Sequence, residues 1–218
     1  MIKIQGLTKR YGSIEAVVDV SFEIASGEAV IIHGPSGSGK TTLLRLLAGL
    51  EMPDEGRICI DGEIASTPDW VLPPYQRGIG IVFQRNALWP HMTVAKNIRF
   101  VMDGIPKSEK AERLRLIIQE VCLDNLSNRY PSQLSSGEAR RVALARAIAD
   151  KPQRLLLDEP LINLDPELKS QLLKVIQDYA HHEKATLLFV THDLDKMEYI
   201  ADKLVGMKEG RVYVVRKD

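Results

Sequence analysis

His33-Gly34-Pro35-Ser36-Gly37-Ser38-Gly39-Lys40-Thr41-Thr42 reads as G-x-x-x-x-G-K-[ST], with Gly34, Gly39, Lys40 and Thr41 at the required spacing. The run before it, Ala29-Val30-Ile31-Ile32, is short, apolar and β-branched, as a buried strand is. The run after it, Thr42-Leu43-Leu44-Arg45-Leu46-Leu47-Ala48, carries helix formers at helical spacing. Strand, glycine loop and helix together predict a phosphate cradle. Glycines let backbone N–H groups turn inward on phosphate oxygens, and the helix presents its positive end to the same anion. Lys40 is placed to reach the β- and γ-phosphates of a nucleotide, and the Thr41 hydroxyl to hold Mg²⁺. The alternative, a glycine turn beside a surface lysine, does not account for both flanks.

Composition sets the bounds. The chain has 218 residues, 44% hydrophobic and 27% charged, enough for one substantial core with a satellite subdomain. Its 29 basic and 29 acidic residues give zero net charge, which argues against nucleic acid as the main ligand. Cys59 and Cys122 lie in apolar runs and read as buried small hydrophobes in a reducing compartment. The first residues lack a signal-peptide core, and no apolar run approaches the ~20 residues that span a bilayer. The expectation is a cytosolic chain, with any membrane role supplied by a partner.

Other stretches bring polar groups to strand ends. Val18, Val20, Phe22 and Ile24 alternate with polar residues, a half-buried antiparallel strand. Upstream, Tyr11 beside Gly12 could stack on an adenine ring or simply pack. Asp61-Gly62 signals a hairpin, and 68–78, with Pro73-Pro74, reads as an irregular surface loop. The strand 79–83 ends at Gln84, where ligands contact open α/β sheets.

From Arg85 to about Asp150 the pattern is helical. Thr93 and Ser108 are expected N-caps. Ser135 and Glu138 form a capping-box pattern; the helix start after Ser135 is either only well capped or a second anion site. Leu155-Leu156-Leu157 leads to Asp158-Glu159-Pro160. Two carboxylates ending an apolar strand suit a Mg²⁺ partner and a water-activating base. Asp165 before Pro166 is an expected N-cap. Leu187 to Val190 is a further buried strand, and His192 beyond it either caps the next helix or joins Gln84, Asp158 and Glu159 at the sheet edge. Lys203 to Val215 reads as two strands around Glu209-Gly210.

With these motifs in order along nearly its whole length, the chain resembles the ATP-binding subunit of an ATP-binding-cassette transporter. Its motifs Pro73-Pro74-Tyr75-Gln76-Arg77 and 83–94 are similar to bacterial importers of sugars, polyamines, oxyanions or ferric iron. The resemblance implies an α/β P-loop NTPase with a mixed, largely parallel core sheet, an antiparallel β subdomain and an inserted α-helical subdomain. The ATP-binding core would be residues 1–84 and 151–218, and the helical signature subdomain residues 85–150. It implies ATP and Mg²⁺ as cofactors. Gly34, Pro35, Ser36, Gly37, Ser38, Gly39, Lys40, Thr41 and Thr42 would hold the phosphates and Tyr11 the adenine. Ser135, Ser136 and Gly137 of the signature and Asp165 of the dimer-contact loop would complete the nucleotide site. Thr41, Gln84 and Asp158 would serve the metal. Glu159, His192, Lys40 and Gln84 would be catalytic.

The implied partners are a second copy or a homologous cassette in a head-to-tail dimer, transmembrane permease subunits and, indirectly, a solute-binding protein. The implied location is the inner face of the cell membrane. A C-terminal regulatory domain, frequent among sugar importers, is not expected of a chain ending at Asp218. Leu88, Trp89, Met92 and Val94 form either a groove for a membrane-subunit helix or internal packing of the helical segment. Ser136, Glu138 and Ile162 depart from the usual glycine, glutamine and serine, which raises a weakly active regulatory cassette as an alternative. A non-transport relative acting on DNA or ribosomes would carry coiled-coil insertions or a basic surface. A small-molecule kinase would lack the signature and Asp158-Glu159-Pro160.

Overall fold

The computed structural model describes residues 1–162, 164–192, 194 and 198–217. Its first strands are β1 (Ile2–Tyr11) and β2 (Ile14–Ile24), an antiparallel pair turning at Gly12. On β2, Val18, Val20, Phe22 and Ile24 are buried while Asp19, Ser21 and Glu23 face water, as the alternation predicts; Val17 is buried as well. β3 (Ala29–His33) leads through the glycine loop into helix α1 (Lys40–Ala48). β4 (Glu55–Ile60), β5 (Glu63–Thr67) and β6 (Trp70–Val71) follow, then β7 (Ile79–Val82). Helices α2 (Val94–Arg99), α3 (Lys110–Glu120) and α4 (Ser136–Ala149) come next. β8 (Arg154–Asp158), α5 (Pro166–Glu183), β9 (Thr186–Thr191), β10 (Lys203–Lys208) and β11 (Arg211–Lys217) complete the order.

The strands form two sheets. β2-β1-β4-β5-β6 is antiparallel throughout. The second sheet runs β11-β10-β3-β9-β8-β7, parallel except for the β10–β11 hairpin. Its inner strands are buried on both faces, which explains their unbroken apolar runs. Val30, Ile32, Leu156, Leu188 and Val190 point to a core shared with α1 and the antiparallel sheet. Ile31, Leu155, Leu157, Leu187 and Phe189 point the other way, into a core shared with α2 to α5. The strand period of two residues thus divides one sheet between two cores.

Several sequence expectations are corrected. The stretch 68–78 is not merely a surface loop: it contains β6 and ends at Arg77, which is 2% exposed. Arg77 donates to the carbonyls of Leu72, Leu47 and Ala65 and to Ser66 Oγ, at 2.6 to 2.9 Å. Burial pushes its guanidinium down to about 10, so it remains a cation at neutral pH. Ser108 is not a cap, because Pro106 O accepts from the N–H groups of both Glu109 and Lys110 and a turn delays α3. Cys59 is half-buried and Cys122 exposed. Cys59 alternates with buried Ile58 and Ile60 and so falls on the outer side of β4. Cys122 sits at φ +55 in the turn that ends α3. Val94 is fully buried, whereas Leu88, Trp89 and Met92 are half-buried. The Trp89 ring packs on Phe100 at 4.5 Å and beneath the Arg146 guanidinium at 4.7 Å, which favours the packing reading for that cluster.

Candidate active site

The phosphate loop gets its shape from glycines that no other residue could replace. A Cβ on Gly34 would lie 1.9 Å from the Met207 carbonyl oxygen, and one on Gly39 2.0 Å from that of Ala16. Both glycines therefore let the loop press against β10 and β2. The hairpin tip adds Gly210 N–H, which donates to Ser38 O at 3.1 Å. Gly39 is the N-cap of α1; no side chain caps this terminus and its first turn holds no acid. The leading N–H groups of α1 have no partner within the helix, so its N-terminus suits an anion.

Lys40 is buried, and its ammonium donates to Gly34 O and Pro35 O at 2.8 Å and to Ser38 Oγ at 3.2 Å. Burial lowers its pKa, while the carboxylates of Glu159 and Asp158 act against that fall. Thr41 Oγ1 donates to Asp158 Oδ2 at 3.0 Å. Burial raises the Asp158 carboxyl above its usual range, opposed by the Thr41 hydrogen bond. A hydroxyl and a carboxylate side by side make a hard oxygen set. That set fits Mg²⁺, which keeps waters and phosphate oxygens rather than a full protein cage. Among the described residues no cluster of three or more His, Cys, Asp or Glu could hold a metal on its own.

Glu159 follows at φ +49, a backbone conformation that turns its side chain out of the line of β8. Its Oε1 lies 2.7 Å from His192 Nδ1, at the end of β9. His192 is therefore at the sheet edge; the helix it might instead cap involves residues 193 and 195–197, outside those described. Gln84 is exposed after β7 and lines a cavity of about 570 Å³ with Thr41, Asp158, Arg45 and Arg85. Sequence reasoning missed Arg45 and Arg85; only their positions beside singled-out residues could have marked them. Tyr11 lines a second cavity with Gly37 to Thr42, and the residue is 43% exposed. Its hydroxyl donates to the Glu51 carboxylate.

The structure thus brings together Lys40, Thr41, Gln84, Asp158, Glu159 and His192. Ser135, Ser136 and Gly137 stand apart at the start of α4 and line neither of these cavities. Ser135 Oγ accepts from Glu138 N at 3.2 Å and Glu138 Oε2 accepts from Ser135 N at 2.7 Å, a capping box that turns the Glu138 carboxylate onto its own helix. Asp165 is exposed and caps α5 through Leu168 N at 2.9 Å.

A family model for ABC transporters matches residues 17–162. The chain belongs to the ABC transporter family. It is 45% identical over 216 residues to a sulfate/thiosulfate import ATP-binding protein CysA of Thermosynechococcus vestitus, covering 97% of this chain and 62% of that one. It is 43% identical over 211 residues to an Fe(3+) ions import ATP-binding protein FbpC of Mesorhizobium japonicum, covering 96% of this chain and 58% of that one. The chain spans about three-fifths of the length of these relatives. The fold matches a dimeric post-hydrolysis state of the ATP-binding cassette MJ0796 bound to ADP and Pi, with a TM-score of 0.90 at 32% identity over 100% of this chain and 98% of that one. The ABC-cassette fold accounts for both sheets and for the helices between β7 and β8. Among the described residues no helix is long and apolar enough to cross a membrane.

Proposed function

We propose that the chain is the ATP-hydrolysing subunit of a membrane importer. The observation that carries this reading is the meeting of Lys40, Thr41, Asp158 and Glu159 at the carboxyl ends of β3 and β8. The backbone of 34–42 and the start of α1 bind the phosphates, and Tyr11 faces the adenine. Lys40 leaves its loop carbonyls for the β- and γ-phosphate oxygens, where a preorganised cation lowers the barrier to transfer. Glu159 accepts the proton of the attacking water, and His192 holds the Glu159 carboxylate in place. Thr41, Asp158 and Gln84 would hold Mg²⁺, which supplies charge neutralisation between the phosphates.

In this reading residues 85–150 form a helical signature segment within a core of 1–84 and 151–218. Ser135 to Gly137 and Asp165 act on the nucleotide of a second cassette in a head-to-tail dimer, which fits their position away from their own chain's cavity. ATP closes that dimer and hydrolysis releases it. Permease subunits at the inner membrane face, fed by a solute-binding protein, carry an oxyanion or ferric ion, the solutes in the relatives' names.

The test is the mass of Glu159→Gln with and without ATP, by light scattering, beside the wild-type ATPase rate. Dimerisation of the variant and hydrolysis by the wild type are expected. A wild type without ATPase activity, or a variant that hydrolyses as fast as wild type, would overturn the reading.

A further inference from the structure

Arg140 stands on the second turn of α4, on the same helix whose first residues form the signature. Among the described residues its side chain pairs with no acid. Nη1 donates to the carbonyl of Glu159 and Nη2 to the carbonyl of Gln84 at 3.1 Å. Those carbonyls belong to the ends of two different strands, β8 and β7. The guanidinium is planar and its donors are fixed relative to one another, so binding both carbonyls sets the spacing between the strand ends. A lysine, with a single flexible ammonium, could not impose that geometry.

The Glu159 backbone needs such support. A non-glycine residue at φ +49 is strained and persists only where its surroundings hold it. Hydrogen bonds grip this residue on either side. Its N–H donates to Val190 O at 2.9 Å, and its carbonyl accepts from Arg140 and, at 3.4 Å, from Ile162 N–H. The same helix also holds the segment after Gln84: Arg146 donates to Asn86 O and Ala87 O at 3.3 and 2.9 Å. Burial lowers the pKa of Arg140, with the Glu159 and Asp158 charges opposing the fall, so the cation stays in the site's field.

We infer that Arg140 is a positioning residue for hydrolysis: through its two carbonyl contacts it fixes the backbones of Glu159 and Gln84, and so ties the chain's own catalytic strand ends to the helix that carries its signature. A movement of Ser135 to Gly137 on a neighbouring nucleotide then reaches Glu159 through one side chain. The inference rests on the function proposed above, in which Glu159 activates water.

The experiment measures steady-state kcat and KM for ATP, and Kd for mant-ATP, in wild type, Arg140→Gln, Arg140→Lys and Glu159→Gln. In Arg140→Gln, kcat should fall about tenfold or more, because small displacements of reacting groups are costly. KM and Kd should stay within about twofold, since the phosphate loop does not touch Arg140. Arg140→Lys should recover part of the loss by serving one carbonyl. Overturning results are a kcat within about twofold of wild type, a Kd that rises as kcat falls, or unfolding of both Arg140 variants. A wild type that does not hydrolyse ATP, or an active Glu159→Gln, would sink the proposed function and this inference with it. If both controls behave and Arg140→Gln keeps its rate, this inference alone fails.

Discussion

Gly49 and Arg77 occupy each other's space: a Cβ on Gly49 would stand 2.3 Å from Arg77 Nε. Gly49 ends α1 at φ +74, and the guanidinium lies beneath that end, against the carbonyl of Leu47. A cation at a helix C-terminus complements its dipole. The same side chain reaches β5 through Ala65 and Ser66, so it pins the antiparallel sheet to the helix behind the phosphate loop.

Replacing Arg77 by Met should therefore strip partners from several buried carbonyls at once. The expected loss is about 3 kcal/mol or more in urea denaturation. Arg77→Lys should recover only a fraction, having no fork to span Leu72, Leu47 and Ala65. A loss below about 1 kcal/mol would show that water takes over these carbonyls.

Asp158 presents the opposite balance. Its carboxylate is buried and held above its usual pKa, so the charged form is unfavourable in the free protein. Asp158→Asn should keep the Thr41 contact, remove that cost and raise Tm by about 2–4 °C, on the order of 1 kcal/mol. The same variant should lose ATPase activity. Thermal melts without nucleotide check the first effect and phosphate release the second; a lower Tm would mean that attraction to Lys40 outweighs desolvation.

Glu138 gives a pH dependence with a fixed sign. Hydrogen bonds from the backbone and side chain of Ser135 hold its carboxyl below its ordinary value of 4.5. A carboxyl depressed in the folded state stabilises above its unfolded value, and that contribution fades as pH falls through the lower folded value. Amide NMR shifts of Ser135 and Glu138 should therefore titrate with a midpoint below 4.5. Glu138→Gln, which keeps a capping-box side chain, should abolish that titration. An unchanged titration in the variant would assign it to another group.

What the sequence disclosed follows from how local each signal is. The phosphate loop, the Thr93, Ser135 and Asp165 caps and the Asp61-Gly62 turn each rest on a few neighbouring residues, and the structure contains them all. Arg77 and Arg140 were illegible because their partners are backbone carbonyls of distant segments, which carry no side-chain signature. Ser108 misled because a turn at Pro106 took the N–H groups that a cap would have used. Cys122 misled because apolar neighbours at the end of α3 do not reveal a left-handed turn. The meeting of Gln84, Asp158, Glu159 and His192 was legible as a strand-end rule, but the Nδ1 contact of His192 with Glu159 needed coordinates.

The place of β3 between β9 and β10 also dictates a timetable. The loop-bearing strand is made early, in residues 29–33, but its flanking partners lie at 186–191 and 203–208. At ~5–20 residues per second of synthesis, the strand waits roughly 10–30 s for its neighbours. Met207 and Gly210, against which the loop is moulded, arrive later still. A nascent cassette is therefore nucleotide-blind until residue 210 has been made, and competence arrives in one late step.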